Sequence, residues 1–302
     1  MAPQPAAADL AVQVPEELQL GQYIPLHYHY HMLQDEDRVA GFQAAIAQEV
    51  APGMHVVELG AGTGILSSFA ARRGATVSCI ERIPALAAAA EKFLLDNGLG
   101  DRAQVICADA SRFVPAQPVD VVICEMLHVA LLREKQLLVI DAFKSNYRRA
   151  FGDSVPLPRF IPEASILMWQ PVYQCFDFAG YWAPIPMFQA PLLQNARTTE
   201  LGPLDPYASI SYESDYPLRF TCQQAVPAAV AGTVNAVRFV TQNVMAIDVP
   251  NQSAITWPNQ CLILPISEPF DVLAGQHLQI SFDYAGGAPL ETLAASMELQ
   301  VQ

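Results

Sequence analysis

Basic residues are scarce in this sequence. Its 302 residues include 16 Lys plus Arg against 30 Asp plus Glu, and the formal net charge is −14. Nucleic-acid-binding proteins depend on clustered Lys and Arg, so this balance makes a nucleic-acid partner unlikely on electrostatic grounds. The acidic excess suits a positively charged substrate, although ordinary solubility is an equally good reason for most of these charges.

Paired cysteines and long apolar runs are also lacking. The six cysteines are scattered and none forms a Cys-x-x-Cys pair, which favours reduced thiols in a cytoplasmic protein. No apolar run is long enough to span a bilayer and no basic, apolar leader opens the chain, so we expect no membrane partner. His27, His29 and His31 would share one face of an extended segment. No Cys or acidic cluster accompanies them at ligand spacing, and we predict no metal site.

A glycine-rich turn between a strand and a helix dominates the first half of the chain, over 56–66. Gly60, Gly62 and Gly64 allow the backbone to pass close to a ligand and open the helix N-terminus toward it. A dinucleotide-binding fingerprint requires a further glycine where this chain has Ile65, so that fingerprint is excluded.

Acidic residues accompany the ends of successive apolar runs. Glu58 precedes the glycine turn, Glu81 ends the second run, Asp109 follows the third, and Glu125 ends a fourth, β-branched run. Open α/β sheets bind ligands at the carboxyl ends of their strands, where a carboxylate such as Glu81 can accept ribose hydroxyls. A βαβ unit with a tight turn and no ligand is the alternative, and the acids in register disfavour it.

The composition predicts two domains and a tail. Residues 1–18 are rich in Ala, Pro and Gln and are predicted to form a mobile tail. Residues 19–154 alternate strand and helix, which predicts a doubly wound parallel α/β sheet. Three prolines within 155–162 predict a linker. Residues 155–302 contain short apolar or alternating runs between Pro, Gly and Asn, and predict an all-β sandwich or barrel.

These features together resemble the class I S-adenosylmethionine-dependent methyltransferases, and among them the protein arginine methyltransferases. The N-terminal Met-Leu-x-Asp-x-x-Arg pattern of that family is present as Met32 to Arg38, and its two glutamates nine positions apart are matched by Glu125 and Glu134. The resemblance covers residues 23–150 well and the β domain mainly by its architecture, with one clearer stretch at 269–276. The resemblance implies S-adenosyl-L-methionine as cofactor, a Rossmann-like sheet followed by a barrel-like β domain, and is compatible with a homodimer.

The resemblance also implies roles for individual residues. Arg38 would clamp the carboxylate of the cofactor, Met32 would pack near its sulfonium, and Glu81 would hold its ribose. The implied cofactor-binding set is His29, Met32, Arg38, Glu58, Gly60, Gly62, Glu81, Asp109 and Ala110, with Glu125 and Glu134 as the catalytic pair. Two alternatives stay open: a surface ion pair of Arg38 with Asp35 or Glu36, and an exposed helix start at Glu134.

The catalytic pair has a chemical reason. A guanidinium is protonated at neutral pH and is a poor nucleophile. Two carboxylates can grip it through paired hydrogen bonds, draw positive charge from one nitrogen and orient that nitrogen toward a methyl group. If Glu125 and Glu134 face each other, desolvation and repulsion should raise at least one pKa. We therefore predict N-methylation of a guanidine-like or other nitrogen, carried by a cationic acceptor such as an arginine-containing protein, peptide or small molecule.

Two departures from the family pattern leave the acceptor open. The family usually has Trp-Met-Gly-Tyr after its first glutamate, and this chain has Met126 to Val129. The family's Thr-His-Trp segment corresponds here to 256–260, which lacks the histidine. His128 would be a substitute base or a loop histidine without a role. The alternatives are methylation of a small molecule or RNA, and a cofactor-binding subunit without catalysis.

Overall fold

The computed structural model describes residues 23–191 and 196–301, and the predicted tail 1–18 lies outside the described residues. The α-helices are α1 His29–Gln34, α2 Glu36–Glu49, α3 Ile65–Arg72, α4 Pro84–Asp96, α5 Gln136–Phe151 and α6 Leu290–Ser296. The strands are β1 His55–Leu59, β2 Thr76–Glu81, β3 Ala103–Cys107, β4 Val121–Cys124, β5 Arg159–Ile161, β6 Ala164–Gln174, β7 Asp177–Phe178, β8 Tyr181–Trp182, β9 Met187–Gln189, β10 Thr198–Glu200, β11 Asp205–Ser211, β12 Arg219–Pro227, β13 Gly232–Asp248, β14 Ser253–Pro258, β15 Cys261–Val272, β16 His277–Ala285 and β17 Glu298–Val301.

The N-terminal half is built on a parallel sheet with strand order β3-β2-β1-β4-β5. Its central strands β1 and β4 are almost wholly buried, as β-branched strands covered on both faces should be. Helices α3 and α4 contact β2 and β3. The predicted doubly wound α/β sheet is therefore confirmed, and its strands end together at one edge.

The parallel sheet continues beyond the predicted domain boundary at 155. Arg159–Ile161 pairs in parallel with β4, so β5 lies within the proline-rich segment that the sequence suggested as a linker. Three residues between Pro158 and Pro162 carry no periodic signal. Only the open edge of β4 makes this segment a strand.

The histidine-rich segment is helical rather than extended. Residues 26–28 form a 3₁₀ turn and His29–Gln34 form α1, so residues two apart point to nearly opposite sides. His27, His29 and His31 therefore do not share a face. Within 23–191 and 196–301, no three His, Cys, Asp or Glu side chains lie close enough to hold a metal ion.

The C-terminal half is antiparallel sheet. One sheet has the order β10-β6-β13-β15-β9, with β11 on β6 and β14 on β13, and a smaller sheet has the order β12-β16-β17. Aromatic residues of the two sheets meet in the interior: Phe239 packs edge to face on Phe282, and Tyr284 packs at a tilt beside Phe282. The predicted β domain is confirmed. The short helix α6, which buries only Leu293, is an addition that lacks a detectable helical period.

Apolar helices long enough to cross a bilayer are not found among the described residues.

Candidate active site

One cavity of about 430 Å³ opens at the carboxyl ends of β1, β2 and β4. This size is typical of sites for small molecules and cofactors. The structure brings all of the residues in the predicted set to its wall: His29, Met32, Arg38, Glu58, Gly60, Gly62, Glu81, Asp109, Ala110, Glu125 and Glu134. Segments that are 105 positions apart in sequence, from position 29 to 134, therefore meet in one site.

The glycine turn, residues 60–64, forms the floor of the cavity. Gly60, Gly62 and Gly64 all have positive φ, and Gly64 is the N-cap of α3. A Cβ at Gly62 would lie 2.7 Å from Cε1 of His29, closer than real Cβ contacts allow. The turn thus requires glycine at position 62 for both its backbone angle and its packing.

His29 lies over this turn with an unused polar atom. Its Nε2 is buried and has no hydrogen-bond partner among the described residues. Burial lowers the pKa of His29, so the ring is neutral near pH 7. A buried, unpartnered ring nitrogen is costly unless a ligand satisfies it.

Glu81 supports the glycine turn from β2. One carboxylate oxygen accepts a hydrogen bond from the backbone N–H of Gly62 (3.0 Å) and the other accepts from Ile83 (2.8 Å). Each carboxylate oxygen has two acceptor positions, so one remains on each oxygen for a hydroxyl in the cavity.

Glu58 is engaged with the start of α3. Its Oε2 accepts from the backbone N–H of Ser67 (2.8 Å) and from the Ser67 hydroxyl. Burial raises the pKa of Glu58 to about 8, so the side chain is largely protonated at neutral pH. These bonds fix the geometry of the turn, and a direct cofactor contact by Glu58 stays a prediction.

Asp109 begins the 3₁₀ turn that carries Ala110. Its carboxylate accepts from the backbone N–H (2.9 Å) and hydroxyl (2.7 Å) of Ser111. Burial alone would raise the pKa of Asp109, but these hydrogen bonds and the nearby Arg82 and Arg112 outweigh burial and lower it. The carboxylate is therefore ionised at the rim of the cavity.

Arg38 is buried and joins the two ends of the site. Its guanidinium forms an ion pair with Glu125 and donates to the backbone carbonyl of Met32 (3.2 Å). Asp35 accepts from the backbone N–H of Arg38 as the N-cap of α2. The alternative of a surface ion pair with Asp35 or Glu36 is therefore wrong.

The acidic loop, residues 125–134, carries the two predicted catalytic glutamates. Glu125 follows β4 directly and Glu134 lies two residues before α5. Burial, and after it the charge of Glu125, raises the pKa of Glu134 to about 8, while Arg133 and Arg38 act in the opposite direction. The predicted rise in the pKa of one glutamate is thus present, and it falls on the one that Arg38 does not pair with.

The backbone of the acidic loop is unusual. Ala130, Leu131 and Arg133 have positive φ although none is glycine. Each such residue costs about 1–2 kcal/mol. Hydrogen bonds from the β domain offset this cost. At Ala130, the backbone N–H donates to Thr241 Oγ1 (2.7 Å) and the carbonyl accepts from Tyr284 OH (2.9 Å). Three further bonds hold the rest of the loop: Gly287 N to Leu131 O (2.8 Å), Arg133 N to Ala288 O (2.8 Å) and Asn259 Nδ2 to Leu127 O (2.9 Å).

His128 does not line the cavity. Its ring packs edge-on against Phe188 at 5.3 Å between centroids, and its Nδ1 lies 3.2 Å from the backbone carbonyl of Val129. Burial, together with the charge of Arg133, lowers the pKa of His128 to about 4. A histidine with this pKa is a weak base, so the substitute-base interpretation has no support here.

Three residues that matter for the site lack a sequence signal. Thr241 and Tyr284 lie more than 100 positions from the acidic loop. Gln136 sits wholly buried at the start of α5, and its amide bonds the backbone on both sides of Glu125. In the sequence, a glutamine two residues after a glutamate at a predicted helix start resembles an exposed surface residue, so no sequence pattern shows that Gln136 is buried.

Comparisons with known proteins agree with this geometry. Residues 56–145, which contain the glycine turn and the acidic loop, match the family described as "Methyltransferase domain". The chain is a methyltransferase whose sequence resembles that of the arginine methyltransferases. Its fold is that of the Trypanosoma brucei PRMT1 enzyme–prozyme complex, with a TM-score of 0.71 at 18% identity over 91% of this chain and 98% of that one.

Two relatives define how far the sequence similarity extends. An uncharacterised protein of Methanothermobacter thermautotrophicus is 30% identical over 272 residues, which cover 89% of this methyltransferase and 97% of the archaeal chain, and the two belong to one family. A probable protein arginine N-methyltransferase 6.1 of Oryza sativa subsp. indica is 32% identical over 60% of this chain. The match spans 47% of the rice protein, about half its length.

Proposed function

We propose that this methyltransferase transfers a methyl group from S-adenosylmethionine to a guanidine-like nitrogen held by Glu125 and Glu134. The observation that carries the proposal is that two carboxyl groups line one cavity and differ in their ion pairing and pKa. Arg38 neutralises Glu125, whereas Glu134 has a raised pKa and no positive side chain in ion-pair contact among the described residues. Such a site is completed by a cation.

The cavity residues fit the cofactor. His29, packed on Gly62, presents an unpartnered buried nitrogen, and Glu81 keeps free acceptor positions. Arg38 has a planar guanidinium that can bind a second carboxylate beside Glu125. When bound, the cofactor supplies an electrophilic methyl group on a positively charged sulfur.

The chain's own residues then perform three tasks. Glu125 and Glu134 accept the N–H groups of the acceptor and align one nitrogen. Binding of the cation favours the ionised form of Glu134, because an opposite charge at contact lowers a carboxyl pKa. Transfer would break the bond between methyl and sulfur, the methylated nitrogen would have to lose one proton, and the Glu134 carboxylate would accept that proton. His128, outside the cavity and with a pKa of about 4, is poorly suited to that role.

We also propose a cytoplasmic homodimer. Reduced thiols support the location, because no disulfide joins the six cysteines, all of which lie in the described residues. Exposed aromatic residues between β6 and β9, including Tyr181 and Trp182, support a partner surface. Sedimentation velocity of the purified protein tests the dimer, and a monomer at micromolar concentration would contradict it.

A labelling experiment tests the activity. The purified protein is incubated with methyl-labelled S-adenosylmethionine and, separately, with an arginine-rich peptide, free L-arginine, RNA and a metabolite extract. We expect label on the terminal guanidine nitrogens of the peptide or of free arginine. Label confined to RNA, or to non-guanidine metabolites, would replace the proposed acceptor class. Cofactor binding without transfer to any acceptor would favour a non-catalytic subunit.

A further inference from the structure

The side chain of Gln136 bonds to the backbone on both sides of Glu125. The glutamine is fully buried at the first position of α5. Its Oε1 accepts from the backbone N–H of Met126 (2.9 Å), and its Nε2 donates to the backbone carbonyl of Cys124 (2.8 Å). These two peptide groups lie immediately before and after Glu125.

The side-chain amide acts here as a substitute for a neighbouring strand. Strand β4 ends at Cys124, and beyond this point the backbone needs other hydrogen-bond partners. A primary amide presents a donor and an acceptor side by side, so one side chain can satisfy both peptide groups. The residue between them is thereby fixed in its backbone orientation, and the starting point of the Glu125 side chain is fixed with it.

The β domain holds the same amide from the opposite side. The hydroxyl of Tyr212 lies beside the Gln136 side chain and is hydrogen-bonded with Ser165 Oγ (2.8 Å). Ser165 Oγ in turn donates to Asn243 Oδ1 (2.7 Å). Tyr212, Ser165 and Asn243 are all fully buried. A continuous buried polar chain therefore runs from the flanks of Glu125 into the β domain.

We propose that Gln136 is a positioning residue for Glu125: its amide sets the backbone on both sides of this glutamate, and Tyr212 anchors the amide to the β domain. This inference rests on the proposed function and deepens it, because it states how one of the two acceptor-binding carboxylates is held. Gln136 does not line the cavity, so its effect on the site must pass through Glu125.

The variant Gln136→Glu gives the sharpest test. A protonated carboxyl keeps one acceptor and one donor, and so reproduces the pattern of the amide. An ionised carboxylate has acceptors only and would face the Cys124 carbonyl with repulsion. Burial favours the protonated form of the introduced carboxyl. We expect kcat of the variant, divided by that of the wild type, to rise at least tenfold as the pH is lowered from about 9 to 6.

The surrounding titratable groups do not produce this pattern. Burial raises the pKa of the Cys124 thiol well above its ordinary value, and burial likewise raises that of Tyr212. Glu125 and Glu134 are present in both proteins, and Glu134 titrates near pH 8 in the wild type. Division by the wild-type profile removes its contribution.

Two further variants and a control complete the design. Gln136→Met removes both hydrogen bonds at similar volume, and we expect a fall in kcat of roughly 10²-fold at every pH. Tyr212→Phe should give a smaller fall. Gln174→Glu alters an equally buried glutamine of β6 that lies away from the cavity, and its kcat ratio should not vary with pH. Calorimetric binding of S-adenosylhomocysteine verifies that each variant is folded.

The outcomes are separable. If the wild type methylates no acceptor, the proposed function fails before Gln136 is tested. If the wild type is active and Gln136→Glu has a pH-independent kcat ratio, the positioning role is overturned and the proposed function is untouched. A pH-dependent ratio equal to that of Gln174→Glu would also overturn it.

Discussion

The glycine turn and the acidic loop both line one cavity, and both place backbone in the left-handed region. The turn does so with Gly60, Gly62 and Gly64, for which these angles carry no steric cost. The acidic loop does so with Ala130, Leu131 and Arg133, which resist them. The glycine turn is therefore determined locally, whereas the acidic loop depends on hydrogen bonds from the β domain.

This difference assigns a function to the second domain. The part of the cavity that we propose for the cofactor lies within the α/β domain, and contacts inside that domain maintain it. The part that we propose for the acceptor is maintained by strands β13 and β16, through Thr241 and Tyr284. We infer that substitutions in the β domain weaken acceptor binding and methyl transfer more than they weaken cofactor binding.

The largest effect should come from Glu134→Gln. The change preserves the shape of the protonated side chain and removes the charge that a cationic acceptor requires. We expect kcat/KM to fall by roughly 10²–10³-fold while the dissociation constant of S-adenosylhomocysteine is retained. Single-turnover assays and calorimetry measure the two quantities. Glu91→Gln, at an exposed position of α4, is the control, and retention of full activity by Glu134→Gln would contradict the paired-carboxylate site.

Gly62→Ala should damage the glycine turn and leave the acidic loop unchanged. The new Cβ would combine a left-handed φ with a 2.7 Å approach to His29, at a cost of about 1–2 kcal/mol or more. Cofactor affinity should fall roughly 5- to 30-fold, as titration calorimetry would detect.

Gly98→Ala is the matched control for this effect. Gly98 has a similar φ of +71°, but no atom lies within 4 Å of its added Cβ. The control should lose stability without losing cofactor affinity. Equal affinity losses in the two variants would show that strain alone, rather than contact with His29, is responsible.

The pH dependence should separate the two sides further. Glu134 has a pKa raised to about 8, so below this pH it must release a proton before it can bind a cation. Acceptor affinity should therefore increase with pH up to about 8, by up to about tenfold per unit. Calorimetry in buffers of different ionisation enthalpy should detect proton release on acceptor binding at pH 7. The Glu134→Gln protein should show none.

Thr241→Val should give the smallest effect. The change is nearly isosteric and leaves the backbone N–H of Ala130 without its partner, at a cost of about 1–3 kcal/mol. We expect a several-fold lower kcat with an unchanged cofactor dissociation constant. Thr233→Val, on the same strand with its hydroxyl bonded to Asp271, is the control. An equal loss of cofactor affinity in Thr241→Val would contradict the separation of the two sides.

The predictable part of the structure follows from local patterns. Apolar β-branched runs and glycines predicted the parallel sheet and its turn, because backbone angles and strand periods are properties of neighbouring residues. The short strand β5 and the helix α6 were not predicted, since three and seven residues are too few for a period. His27, His29 and His31 would share a face only in an extended segment, and the segment is helical.

By itself, the sequence determined that a glycine turn and carboxylates lie at the strand ends of an α/β sheet, because these features depend on residues within about ten positions of each other. Tertiary structure alone decided that Arg38 pairs with Glu125, that His128 faces Phe188, and that Gln136 holds the flanks of Glu125. These pairings depend on burial and on partners from distant segments, because polar groups in a desolvated interior must find hydrogen-bond partners.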